Sequence, residues 1–211
     1  MKSKKKLLKS SRLYLIIDKM VCAGKPMDAI ALAAAEAGAD IIQLRDKESP
    51  KEIILQSALR IRKSLAAKKS LFIINDYPEI ARLADADGVH LGQADYPLEI
   101  ARKILGRDKI IGVSCTDLKQ AQSAQEQGAD YLGIGPVFKT STKETAQAAG
   151  TGLISEAARN LRIPFFALGG INGDNLSLVI SAGARRIALC GAICRENDIA
   201  SATRKIRRLL N

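Results

Sequence analysis

The sequence predicts a (β/α)8 barrel in one domain, and three observations carry that expectation. Eight short runs rich in β-branched residues alternate with eight Ala/Leu/Lys/Glu-rich segments of helical period. The runs are apolar without alternation, as parallel strands buried on both faces are. A joint also recurs at Ala37-Gly38-Ala39-Asp40, Gln127-Gly128-Ala129-Asp130 and Ala182-Gly183-Ala184-Arg185, with Ala86-Asp87-Gly88-Val89 a shorter cousin. In the first three, Gly is placed to end a helix in the left-handed conformation just before a strand starts. Eight such units in 211 residues sit at the lower size limit of the fold. An open doubly wound sheet is the alternative. It usually carries a GxGxxG-like turn after its first strand, and Asp18-Lys19-Met20 is unlike one.

Taken in order, the elements also say where chemistry can sit, because in this fold it gathers where strands end and loops begin. Strand 13–18 delivers Asp18 and precedes helix 26–37. Strand 40–45 delivers Gln43, Arg45, Asp46 and Lys47 before helix 50–67. Strand 71–75 delivers Asn75 and Asp76 before helix 78–84. Strand 88–91 delivers His90, Gln93 and, just beyond, Asp95 before helix 96–105. Strand 110–114 delivers Ser114 before helix 117–127. Strand 131–135 runs through Gly135-Pro136 into Lys139-Thr140-Ser141-Thr142-Lys143, before helix 151–160. Strand 164–168 leads to Gly169-Gly170 and helix 173–181, and strand 186–190 ends at Cys190-Gly191 before helix 198–210.

Composition narrows the class. Hydrophobic residues make up 47% and charged residues 26%, which is globular rather than disordered. No apolar run is long enough for a membrane span. The four cysteines show no CxxC and no His at zinc spacing, so they read as reduced thiols of a cytoplasmic protein. The net charge of +11 invites a nucleic-acid partner. Residues 1–12 carry +6 of it and residues 199–211 carry +4, leaving a nearly neutral body. The tails lack interleaved aromatics for base stacking. They are therefore expected to be a frayed basic arm (1–12) ahead of the catalytic domain (13–211) and a solvated final helix. No nucleic-acid partner is expected, and a homo-oligomer is left open.

The strand-end residues form a chemical pattern. Arg45, Lys47 and Lys143 are three cations converging from two loops. The glycines ending strands 7 and 8 can bring backbone N–H groups to an anion, and Thr140-Ser141-Thr142 adds hydroxyls. Asp76 and Asp95 come from adjacent strands and suit Mg2+ bridged to substrate phosphates. Two phosphorylated groups are thus implied, one held with a metal and one by backbone, which favours transfer or condensation over hydrolysis. Each residue has a plainer reading. Arg45 and Asp46 fit a surface ion pair, Asp76 fits a helix cap, and His90 fits a packed, hydrogen-bonded strand residue better than a catalytic base.

Seven ordered motifs carry a resemblance. They are Gln43-Leu44-Arg45-Asp46-Lys47, Ile74-Asn75-Asp76, Gly88-Val89-His90-Leu91-Gly92-Gln93-Ala94-Asp95, Ile111-Gly112-Val113-Ser114, Ala129-Asp130-Tyr131-Leu132-Gly133-Ile134-Gly135-Pro136-Val137-Phe138, Thr140-Ser141-Thr142-Lys143 and Ala167-Leu168-Gly169-Gly170-Ile171. From about residue 13 to 198 the chain resembles thiamine-phosphate synthases, which join a pyrimidine diphosphate to a thiazole phosphate with release of pyrophosphate. The resemblance implies that the stretch Gln43, Leu44, Arg45, Asp46 and Lys47 binds the pyrimidine diphosphate, with Asn75 and Ser114 beside it. It implies that Asp76 and Asp95 hold Mg2+. Arg45, Lys47, Ser114 and Lys143 would be catalytic, and Thr140, Ser141, Thr142, Gly170, Cys190 and Gly191 would hold the thiazole partner. The chain departs from the family at Tyr77, where Arg is frequent. It departs again at Thr116, where His is frequent, and at Gly191, where Ser is common. The related thiazole tautomerase and a non-catalytic thiamine-phosphate-binding barrel are the competing readings. Asp95 together with Lys143 favours the synthase.

Overall fold

A computed structural model of the chain describes residues 4–140 and 147–210. Parallel strands β1 (Leu13–Asp18), β2 (Ile41–Arg45), β3 (Leu71–Asn75), β4 (Gly88–Leu91), β5 (Ile110–Cys115), β6 (Tyr131–Ile134), β7 (Phe165–Leu168) and β8 (Ile187–Leu189) pair in chain order and close into a barrel. Closure is the β1–β8 pairing, with Leu13 opposite Ile187. The helices are α1 (Lys4–Ser10), α2 (Met27–Glu36), α3 (Lys51–Ser64), α4 (Pro78–Leu83), α5 (Leu98–Leu105), α6 (Leu118–Glu126), α7 (Gly150–Asn160), α8 (Leu176–Ser181), α9 (Gly191–Cys194) and α10 (Ile199–Leu209). All sixteen expected elements are present, with bounds moved by no more than three residues. Among the described residues no helix is long and apolar enough to cross a membrane.

Side chains alternate between two apolar cores, as barrel geometry requires. The larger lies between strands and helices and takes Leu15, Ile17, Ile42, Leu44 and Ile74. The smaller fills the barrel with Tyr14, Ile41, Leu71, Ile73, Ile110, Tyr131, Phe166 and Ala188. Gly112 makes room for Tyr131, since a Cβ there would lie 2.1 Å from the ring Cζ. Tyr131 and Tyr14 both meet the Phe166 ring edge-on, at 5.7 and 5.2 Å between centroids.

The segment expected as a frayed basic arm is instead the helix α1, seated under the barrel. Leu8 is buried in the inner core, with Leu7 packed beside it. Lys4 pairs with Asp87 and Lys5 with Asp130, each at 2.9 Å. The cause is physical: the first inward residues of β2, β3 and β5 would otherwise show Ile41, Leu71 and Ile110 to water, and the carboxylates beneath them attract lysine.

Those carboxylates belong to the recurring joint. The Asp40 Oδ2 accepts from the N–H of Arg12 (2.7 Å) and Leu13 (2.9 Å), Asp87 Oδ2 from Phe72 N–H (2.8 Å) and Asp130 Oδ2 from Ile111 N–H (2.9 Å). Each Asp N–H returns a bond to the carbonyl of Leu13, Phe72 or Ile111. The repeat is therefore a two-way tie between one strand's first residues and the loop entering the next.

Candidate active site

The opposite, C-terminal end of the barrel opens into a cavity of about 410 Å3. Gln43, Arg45, Asn75, His90 and Ser114 line one side, and Thr140, Gly170, Cys190 and Gly191 line the other. Inward pleating places Gln43 and Arg45 there and turns Leu44 outward into the helix-facing core. The Leu44 side chain thus packs between barrel and helices. The Asp46 side chain is engaged locally. Its Oδ1 accepts the N–H groups of Glu48 and Ser49, each at 3.0 Å, and its Oδ2 faces Lys19 at 3.6 Å, away from the cavity.

Arg45 has no pair with Asp46. It forms a short ion pair with Asp18, which is buried and also accepts from the N–H groups of Met20 and Val21. Asp18 therefore aims the guanidinium across the top of the barrel. Its signal in the sequence was only its place at the end of the first strand.

Asp76 does not cap α4, which has no side-chain cap. Its backbone sits at φ +63°, sparsely populated for a residue with a Cβ. The conformation is held by its N–H donating to His90 O at 2.9 Å. This bend aims the carboxylate at Lys47, 2.9 Å away, and at Asp95. Asp95 is itself fixed by accepting the Gly92 N–H at 2.6 Å. Burial, and then the adjoining Asp95 carboxyl, push the Asp76 carboxyl above its ordinary range, with Lys47 opposing. The Asp76 and Asp95 carboxyls face each other, with Lys47 paired to Asp76, so the donor set fits a hard divalent cation. Among the described residues no cage of three or more His, Cys, Asp or Glu gathers. Mg2+ ordinarily binds through one or two carboxylates plus substrate phosphates and water, which suits this pair.

Across the mouth, Gly170 is obligatory. It sits at φ +65°, and a Cβ would lie 2.5 Å from Lys139 O and 2.8 Å from Phe138 Cβ. Its backbone thus closes against the 138–140 segment and opens the cradle formed with Cys190 and Gly191. A Cβ on Gly191 would meet Arg195 Nε at 3.4 Å. Arg195, four residues on, also lines the cavity; helical i,i+4 spacing was the available signal for it. Ser141, Thr142 and Lys143 lie outside the described residues. All four cysteines are free; Cys22, Cys115 and Cys194 are buried and Cys190 is half-buried. His90 is packed and bonded, with Nδ1 2.9 Å from Tyr131 Oη and Nε2 2.8 Å from Ser114 Oγ.

Fold and mouth together define a (β/α)8 barrel whose strand C-ends carry a carboxylate pair and a glycine cradle. The model of the family described as thiamine monophosphate synthase matches residues 13–193. A thiamine-phosphate synthase of Halalkalibacterium halodurans is 43% identical over 91% of this chain and 92% of its own length. One from Coprothermobacter proteolyticus is 40% identical over the whole of both chains. Among solved structures, thiamine phosphate pyrophosphorylase from Pyrococcus furiosus superposes with a TM-score of 0.88 at 34% identity, over 97% of each chain. The chain belongs to the thiamine monophosphate synthase family, and with it to the transferases of thiamine biosynthesis.

Proposed function

We infer that the protein is a cytoplasmic thiamine-phosphate synthase. It condenses 4-amino-2-methyl-5-hydroxymethylpyrimidine diphosphate with a thiazole phosphate, giving thiamine phosphate and pyrophosphate. The observation that carries this reading is the gathering of two polar sites at one end of the barrel. Arg45, Gly170, Cys190 and Gly191 line the main cavity. Lys47, Asp76 and Asp95 line a second depression at the same strand ends, with Lys47 paired to Asp76.

Gln43, Asn75 and Ser114 bind the pyrimidine at the cavity floor. Arg45, held by Asp18, and Lys47 meet its diphosphate, and the family resemblance assigns Lys143 to the same group. Asp76 and Asp95 hold Mg2+, which when bound supplies positive charge to the departing pyrophosphate. The carbon–oxygen bond of the pyrimidine's exocyclic methylene breaks, and its electron pair leaves with pyrophosphate. The electron-rich aminopyrimidine spreads the resulting positive charge, and the cationic side chains stabilise the leaving group. Gly170, Cys190, Gly191 and Thr140 anchor the thiazole phosphate, so the thiazole nitrogen is placed to capture the carbon with its lone pair before water does. No proton need be removed from the nucleophile, and so no general base is required.

Incubation with both substrates and Mg2+ gives thiamine phosphate and one equivalent of pyrophosphate. Folded protein that forms none, or that only isomerises the thiazole, overturns the reading.

A further inference from the structure

A polar chain crosses the otherwise apolar barrel interior. Gln43 Nε2 donates to Tyr14 Oη at 2.7 Å, Tyr14 Oη lies 2.9 Å from Tyr131 Oη, Tyr131 Oη 2.9 Å from His90 Nδ1, and His90 Nε2 2.8 Å from Ser114 Oγ. Five strands contribute, and both ends of the chain lie on the cavity floor. Its inner members, Tyr14 and Tyr131, are fully buried.

Donor and acceptor inventory gives the chain a direction. An amide nitrogen only donates, so Tyr14 accepts from Gln43 and spends its own proton on Tyr131. Tyr131 then donates to His90 Nδ1. The imidazole is left as the Nε2–H tautomer, donating to Ser114 Oγ. Ser114 has no acceptor for its own proton among the described residues, and Gln43 Oε1 no donor, so both face the cavity. Burial supports this: it pushes both phenols above their ordinary range, keeping each protonated and able to donate.

We propose that Tyr14, Tyr131 and His90 are positioning residues that polarise the floor, so that Gln43 presents a hydrogen-bond acceptor and Ser114 a donor. This rests on the reading of the cavity as a pyrimidine site. An aminopyrimidine edge carries the complement, an exocyclic N–H donor beside a ring-nitrogen acceptor. The relay thereby selects an aminopyrimidine over its oxo analogue, whose edge has the pattern reversed, because a mismatched edge leaves buried polar groups unpaired.

His90 is the sole histidine, so 15N NMR of untagged, histidine-labelled protein reads the tautomer directly, without any assay of turnover. The expected spectrum at pH 7 is that of a single Nε2–H imidazole. A dominant Nδ1–H tautomer, an even mixture or an imidazolium overturns the proposal even if the enzyme is fully active. In Tyr131→Phe the tautomer preference is lost. KM for the pyrimidine diphosphate rises about tenfold, the worth of one misdirected hydrogen bond, while KM for the thiazole phosphate stays constant. Equal changes in both KM values, or none in either, contradict the positioning role. A wild-type protein that makes no thiamine phosphate but shows the expected tautomer refutes the pyrimidine reading and leaves the relay standing.

Discussion

The two ends of the barrel treat their aspartates oppositely. At the N-terminal end Asp40, Asp87 and Asp130 each accept from backbone N–H groups of a neighbouring strand and each pairs with a basic side chain, Arg207, Lys4 or Lys5. At the C-terminal end Asp18 is spent on Arg45, while Asp76, paired with Lys47, crowds against Asp95. Bonds fully met at one end and carboxylates crowded together at the other separate the residues that hold the barrel together from those proposed to serve the reaction.

The sharpest way to break that contrast is Asp76→Asn. Turnover is expected to fall by about 10²–10³-fold, measured as thiamine phosphate formed at saturating Mg2+, without loss of thermal stability. The sign follows from its environment. A carboxyl raised above its unfolded value of about 4 contributes stability only at low pH, and that contribution is lost as pH rises through the raised value. At pH 7 the variant therefore unfolds no earlier than wild type, and any advantage it has there disappears below about pH 4.

Asp87→Ala is the mirror experiment. It strands the buried Phe72 N–H and releases Lys4 and Arg62. Stability falls by about 2 kcal/mol, a Tm drop of roughly 4–8 °C for a domain of this size, with kcat within about twofold of wild type. A large loss of kcat with unchanged Tm would erase the distinction between the ends. Leu8→Ala belongs with it, at about 2–3 kcal/mol for a buried leucine, again by thermal unfolding. The smallest effect is expected at Lys5→Ala, no more than about 0.5 kcal/mol, because its side chain is about half exposed.

The C-terminal end was the more legible in the sequence, and the reason is the fold itself. Once strands are placed by their apolar runs, their ends converge, so Gln43, Arg45, Asn75, Asp76, Asp95 and Ser114 could be gathered from local pattern alone. What was not legible depends on direction or distance. Which of Leu44, Arg45 and Asp46 points inward is set by register against β1, which also makes Asp18 rather than Asp46 the partner of Arg45. α1 carries four lysines in seven residues and has no reason to fold until the barrel floor exists to receive Leu8. The Gln43–Tyr14–Tyr131–His90–Ser114 relay joins residues up to 117 positions apart, a contact no local signal encodes.

The central claim is that the crowded carboxylates at the C-terminal end are a cation site for catalysis, while those at the N-terminal end are structural ties. Initial rates of thiamine phosphate formation across a Mg2+ titration, for wild type, Asp76→Asn and Asp87→Ala, test it most directly. The account predicts saturable Mg2+ dependence for wild type and Asp87→Ala with similar half-saturation, and a rate near background at every Mg2+ concentration for Asp76→Asn. A metal-independent wild-type rate, or an Asp76→Asn enzyme that follows the wild-type curve, would contradict it.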